Sequence, residues 1–316
     1  MPTARRPFIA SLLAAPLWAQ AVLAEPFAGT YRLAAQPVAP GVWMVRGADQ
    51  PIAFANGGAI ANAAIIATDA GAVLVDCGPS LAYGRALAAL ARRLTGQAVA
   101  LVLITHLHPD HALGAGAFDP AIVAALPGTI ADIRRDGPGM TDAMFRLLAD
   151  WMRGTELAVP GRQVAAGPLV VGGRRLQLLA LSGHSQADLA VLDEATGTLI
   201  AGDLVFHNRA PATPHATLAT WQQALGTLAA TPHRQLIPGH GPLDSTGTAI
   251  AQTRDWLAWL AAALAEAADH GLEMTEAGDL PIPAGLAAMA EGRYELQRSV
   301  SHFYAALESA RLPLIG

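Results

Sequence analysis

The chain of 316 residues contains no lysine, because all 20 of its basic residues are arginine. Catalysis through a lysine amine, such as a Schiff base, is therefore excluded. A single cysteine, Cys77, rules out an internal disulfide. It follows the apolar run Val73–Val75 and Asp76, a setting in which a thiol reads as a small buried hydrophobe. Charge is sparse: 14% of residues are charged, and the net charge of −5 leaves no basic surface for nucleic acid. Beyond the N-terminal stretch, no apolar run is long and uninterrupted enough to cross a bilayer. What remains is 53% hydrophobic, ample for a large core, and the length fits one domain with extensions or two small ones.

Histidine is where the chemistry concentrates. His106-Leu107-His108-Pro109-Asp110-His111 follows directly on the apolar run Leu101–Thr105, so four metal-capable side chains fall where a strand stops and a turn begins. Imidazole and carboxylate without thiolate suit a catalytic rather than a structural zinc site. Alternation along an extended segment lets His106 and His108 point the same way. Pro109 then bends the chain and carries Asp110 and His111 toward a second position, so one loop can serve two metals. Three further segments have the same form, an apolar strand ending in a metal-capable residue beside glycine: Leu178–His184, Leu199–Asp203 and Leu236–Gly241. Glycine there lets the backbone approach closely.

In order along the chain, Asp76, the His106–His111 loop, His184, Asp203 and His240 resemble the five signature segments of the metallo-β-lactamase superfamily, over roughly residues 38–245. The resemblance implies a four-layer αββα sandwich with two metals at one edge between the sheets. It implies His106, His108 and His184 on one metal and Asp110, His111 and His240 on the other. Asp203 would bridge the two and Asp76 would orient the loop. Two Zn²⁺ ions are the implied cofactors, with iron as the alternative. Asn56–Asn62, Asp76–Ser80, Gly154–Glu156 and Gly202–Phe206 are most similar to the quinoprotein relay system zinc metallohydrolases. That similarity implies a functional link to a periplasmic quinoprotein dehydrogenase without defining a substrate. Cys77 is not at the ligand position that some class B β-lactamases fill with cysteine; Asp203 holds that place.

Paired Arg5 and Arg6 before the apolar stretch Phe8–Ala24 resemble a twin-arginine export signal, with cleavage expected after Ala24. The expected organisation is a signal at 1–24, the sandwich at 25–245 and C-terminal helices at 246–316 packed on it, with a dimer interface as the other use of those helices. With the signal removed, a periplasmic protein without stable membrane insertion is expected; the other reading of the stretch is a membrane anchor.

Strands are predicted at Val42–Val45, Ile60–Ala67, Ala72–Val75, Val99–Thr105, Leu176–Leu181, Leu189–Leu192, Thr198–Ala201 and Arg234–Ile237. Asp193–Gly197 reads as a hairpin turn. Helices are predicted over Leu81–Leu94, Thr217–Ala230, Thr248–His270 and Leu286–Leu307, with a short one at Leu113–Phe118. Residues 127–168, rich in glycine and proline, read as an irregular pocket wall or lid with one helical piece around Asp142–Arg153.

The expected reaction is hydrolysis of a small ester, thioester, lactone or similar acyl substrate, with Asp110 both holding a metal and orienting the attacking hydroxide. β-Lactam hydrolysis is a narrower alternative. A mononuclear iron persulfide dioxygenase, using His106, His184 and Asp203, is an alternative of another class. A non-enzymatic accessory of a quinoprotein dehydrogenase is a third. His207, Arg209, Trp151, Tyr83 and Asn62 are candidates to line the pocket, whereas His215, His233, His270 and His302 read as surface or packing residues.

Overall fold

The computed structural model describes residues 29–311. The export signal expected at 1–24 lies outside the described residues. Two sheets face each other. The first runs in the order β1 (Ala35–Ala39), β2 (Val42–Val45), β3 (Ala63–Thr68), β4 (Gly71–Val75), β5 (Val99–Leu103), β6 (Val123–Ala125) and β7 (Arg162–Gln163), antiparallel as far as β4 and parallel from there on. The second contains β8 (Gly167–Val171), β9 (Arg174–Leu181), β10 (Asp188–Asp193), β11 (Thr198–Phe206) and β12 (Gln235–His240), in the order β12-β11-β10-β9-β8. Only its β11–β12 pair is parallel.

The period-2 pattern of buried strands explains the layers. In β4, Val73 and Val75 face the second sheet and pack with Leu178, Val191 and Ile237, while Ala72 and Leu74 face outward and pack with Leu87 and Leu90. Those leucines belong to α1 (Leu81–Thr95), which Ser80 caps by accepting from the Tyr83 amide at 3.3 Å. Two short pieces follow: α2 (Pro109–Ala112) and a 3₁₀ turn at Leu113–Ala117, where the short helix was expected. The outer face of the second sheet is covered by α4 (Leu218–Ala230) and α5 (Ala249–Asp269), through Trp221, Leu225 and Trp256. Burying each such apolar side chain stabilises the fold by about 1.5–3 kcal/mol. Helices on both faces of two stacked sheets make the αββα sandwich.

One expectation fails between these layers. Residues 127–148 form a continuous helix, α3 (Pro127–Leu148), with Pro138 inside it, followed by a 3₁₀ turn at Ala149–Met152. The Gly137-Pro138-Gly139 triplet looks like a helix breaker. It is overridden because Ile130, Ile133, Met144 and Leu148 bury one stripe against the first sheet and the loop beside it. The irregular wall is thus mostly helical, although Met140 and Leu147 do line a cavity. Elsewhere the limits move. β3 begins at Ala63 rather than Ile60, because Phe54–Asn62 is spent on turns. β11 continues to Phe206 through a register shift at Gly202, where a strand ending at Ala201 was expected.

At the C-terminus, α6 (Met274–Gly278) and α7 (Gly292–Arg311) pack on α5 through Leu260, Leu264, Leu296, Val300 and Tyr304. The helix expected from Leu286 starts only at Gly292. The preceding segment instead pairs with the chain after β11, through Ala210 N–H to Ala290 O at 2.9 Å and Ala290 N–H to Asn208 O at 2.9 Å. No helix of the described residues is long and apolar enough to cross a membrane.

Candidate metal centre

The seven donors predicted from sequence meet at one edge of the sandwich. His106, His108, His184 and Asp203 form one group and Asp110, His111 and His240 another, every residue buried, with the donor atoms of each group within 4.8 Å of one another. The elements that deliver them are the end of β5 with α2, the β9–β10 turn, β11 and the end of β12. The carboxylate of Asp203 reaches both groups. Its Oδ2 lies 3.6 Å from His184 Nε2 and 3.3 Å from His240 Nε2, and its Oδ1 lies 3.0 Å from His111 Nε2. Gly239 makes this approach possible, because a Cβ there would stand 1.9 Å from Asp203 Oδ1.

The distances fit metal ligation. Zinc bonds of roughly 2.0–2.1 Å place tetrahedral donor atoms roughly 3.3–3.4 Å apart. In the second group, Asp110 Oδ2 lies 3.4 Å from His240 Nε2 and 3.8 Å from His111 Nε2, and the two imidazole nitrogens are 3.5 Å apart. In the first, His106 Nε2 is 2.9 Å from His108 Nδ1 and 3.8 Å from Asp203 Oδ2. His184 Nε2 and Asp203 Oδ1 are buried without a hydrogen bond, as atoms meant for a cation would be. An all-N/O donor set and two such groups fit a dinuclear metal site.

The nitrogen that each imidazole turns away from the centre has a partner, which fixes the ring. His240 Nδ1 donates to Ile60 O at 2.9 Å and His184 Nδ1 to Asp203 O at 3.2 Å. Asp76 serves two histidines. It receives His111 Nδ1 at 2.7 Å, and it accepts from the backbone and hydroxyl of Thr105, whose oxygen meets His106 Nδ1 at 2.9 Å. Asp76 itself sits at φ 63°, a left-handed conformation costing on the order of 1–3 kcal/mol that these bonds hold in place. Two rings are also clamped by aromatics: Trp221 stacks on His184 at 5.0 Å and Phe206 on His240 at 5.1 Å.

Burial dominates the electrostatics. It holds His106, His108 and His184 well below the ordinary imidazole range, so they are neutral and ready to ligate. For His111 burial acts in the same direction, but Asp203, Asp76 and Asp110 outweigh it and raise the imidazole. Burial would lift Asp203, yet His240 and His111 hold it well below the carboxylate range. Beneath the His184 turn, burial pushes Asp188 up to about 7, against hydrogen bonds from the amides of His184 and Ser185 and from the Ser185 hydroxyl.

His215 corrects the sequence reading. It was expected to be a surface or packing residue, yet its Nδ1 lies 2.8 Å from His108 Nε2 and ties off that ring across 107 residues of chain. No local pattern announces it, because the contact is made only when the loop after β11 folds over the His106–His111 turn. His302 is a lesser case, 3.4 Å from the Thr213 hydroxyl. Of the candidate lining residues, Arg209 does line the cavity. His207 is instead held on Pro242 O at 2.9 Å, and Asn62 anchors the His240 turn through Pro238 O and Gly241 O. Tyr83 is buried under Tyr31, and Trp151 packs against Tyr31 as well. The cavity, about 320 Å³, opens on Asp110, Asp203, His108 and His240.

Stacked sheets flanked by helices, with a buried His/Asp cluster at their edge opening on a cavity, define a metal-dependent hydrolase. The chain belongs to the metallo-beta-lactamase superfamily, whose sequence profile matches residues 56–240. Among solved structures, a metallo-beta-lactamase from Pontibacter korlensis is similar in fold at a TM-score of 0.59 with 20% identity, over 72% of this chain and 99% of that one. The mono-zinc form of the metallo-beta-lactamase FIM-1 from Pseudomonas aeruginosa is similar at 0.58 with 17% identity, over 72% and 96%. One from Hirschia baltica is similar at 0.55 with 20% identity, over 71% and 97%. No curated protein sequence is significantly similar to the chain.

Proposed function

We propose that the protein is an exported dinuclear zinc hydrolase that cleaves a small ester, thioester, lactone or similar acyl compound. The observation that carries this reading is the sharing of Asp203 between two complete donor groups beside one cavity. His106, His108, His184 and Asp203 would hold one ion, and Asp110, His111 and His240 with Asp203 the other. Zinc bound there supplies a Lewis acid and lowers the pKa of water from about 15.7 toward 7.

The chain's own side chains do the rest. Asp110, whose carboxylate lies at the cavity wall, accepts a hydrogen bond from the attacking water and aims it at the acyl carbon. The ring partners Asp76, Thr105, Ile60 and His215 keep the imidazoles from turning as charge develops. Ile52, Ile60 and Met140 supply an apolar flank to the cavity beside the scissile bond. Export through the twin-arginine route rests on Arg5, Arg6 and the apolar stretch after them. A partnership with a quinoprotein dehydrogenase rests on the resemblance of residues 56–62, 76–80, 154–156 and 202–206 to the quinoprotein relay group.

The test is elemental analysis of the purified protein, followed by an ester, thioester, lactone and β-lactam panel. Two zinc per chain with turnover of an acyl substrate is the expected result. One iron per chain with oxygen uptake on persulfides would overturn it in favour of sulfur oxidation. A loaded protein that turns over nothing yet co-purifies with a dehydrogenase would make it an accessory.

A further inference from the structure

The cavity that opens on the donors is also lined by arginines, one of them on α7, beyond the residues that match the family profile. α7 presents Leu296, Val300 and Tyr304 to α5, and from the same helix Tyr294 and Arg298 line the cavity. Arg209, from the loop after β11, lines it beside them. Between the two guanidiniums stands one carboxylate, Glu295, fully buried. Arg209 Nη2 donates to Glu295 Oε1 at 3.2 Å, and Arg298 Nη1 donates to Oε2 at 3.0 Å.

The charges do not balance. Two arginines against one glutamate leave a net positive charge on this wall, in a place where Arg209 is only 2% exposed. Glu295 answers the buried guanidinium of Arg209, so the surplus charge rests on Arg298, which is open to an anion in the cavity. Arg209 is held in place by Ala210 O, which accepts from its Nη1 at 3.1 Å, and by the Phe206 ring, 5.9 Å from its guanidinium carbon. Arg298 is held from the side by the Tyr294 ring, 5.4 Å from its guanidinium carbon. Its side chain remains 36% exposed, which leaves donor groups free toward the cavity.

We infer that this wall is an anion-recognition subsite, and that the substrate is an acyl compound bearing a carboxylate remote from the scissile bond, held by Arg298 and Arg209. This rests on the hydrolase reading of the same cavity. A carboxylate matches both the single net charge and the planar fork of a guanidinium. A cavity of about 320 Å³ has room for a short acyl chain beside the donors.

The zinc-loaded enzyme is compared on 4-nitrophenyl pentanoate and the mono-4-nitrophenyl ester of glutaric acid, which differ in the terminal carboxylate. In parallel, glutarate and pentanoate binding is measured by calorimetry, with Arg298→Gln and Arg298→Lys alongside. The expected result is about a tenfold or greater advantage of the carboxylate-bearing member in both kcat/KM and affinity. That advantage falls to about twofold or less in Arg298→Gln and is partly restored in Arg298→Lys. Hydrolysis of both esters without charge preference, or a preference unchanged in Arg298→Gln, overturns the subsite and leaves the hydrolase reading standing. An Arg298-dependent affinity for glutarate without hydrolysis of either ester keeps the subsite and removes the hydrolase reading.

Discussion

The two parts of the cavity lining are built on different principles. At the metal edge each imidazole is fixed twice, by its place on a strand end or turn and by a partner on its outward nitrogen. At the arginine wall, Arg298 is held only by Glu295 and the face of the Tyr294 ring, and keeps donors in the open. The metal edge lies within the stretch that defines the superfamily, and the helix that supplies Tyr294 and Arg298 lies beyond it. The difference teaches where rigidity is needed. A metal demands donors placed to within tenths of an ångström, whereas a guanidinium that meets a flexible acyl chain tolerates adjustment.

The comparison can be broken hardest at Asp203. Asp203→Ala removes the shared carboxylate and leaves His111 without one of the charges that hold it. Both metals should be lost and hydrolysis should fall by on the order of 10³-fold or more. Metal content and turnover measured on the same preparation check this, and a variant that keeps two metals would refute the bridging role. Asp76→Ala comes next. It frees His111 and, through Thr105, His106 at once, and should weaken metal binding by about 10- to 100-fold in a chelator competition.

His215→Ala sharpens the comparison from the metal side. It releases only His108, so the loss should be nearer tenfold and confined to the group that contains His108. His215→Gln, which keeps an acceptor at that position, should recover part of it. Equal metal affinity in His215→Ala and the wild type would mean that the 2.8 Å contact does no positioning.

The smallest effect lies away from the cavity, where Asp244 ties the start of α5. Its carboxylate accepts from the Ala249 amide at 2.8 Å, the Thr246 amide at 2.9 Å and the Gly247 amide at 2.8 Å. Burial would raise it, but these bonds outweigh that and hold it below the ordinary carboxylate range. A depressed carboxylate contributes stability that is present above its unfolded pKa of about 3.9 and is lost as pH falls through its folded value. Asp244→Asn should therefore cost about 1.5–3 kcal/mol at neutral pH and flatten unfolding below about pH 4. Identical denaturation curves for the two proteins across that acid range would contradict this.

Much of the site was legible because its residues are local. A strand end followed by a turn places His106, His108, Asp110 and His111 within six positions, and the period-2 and glycine patterns put His184, Asp203 and His240 on strand ends. α3 was misread for a physical reason: Gly137 and Pro138 signal a break through local backbone preference, while the helix persists on burial that involves residues far away in sequence. The limits of β3 and β11 shifted for the same kind of reason, since turns before Ala63 and a register shift at Gly202 depend on what the neighbouring strands allow.

The sequence by itself determined the donor types, their delivery on strand ends, the αββα layering and the absence of lysine catalysis and of an internal disulfide. Only the tertiary structure decided that His215 supports His108, that His207 turns away to Pro242, and that Arg209 meets Glu295 from 86 residues further along the chain. The physical reason is range. Propensity and periodicity act over a few residues and print themselves in the sequence, whereas a hydrogen bond or an ion pair across the fold depends on where packing brings two distant segments together.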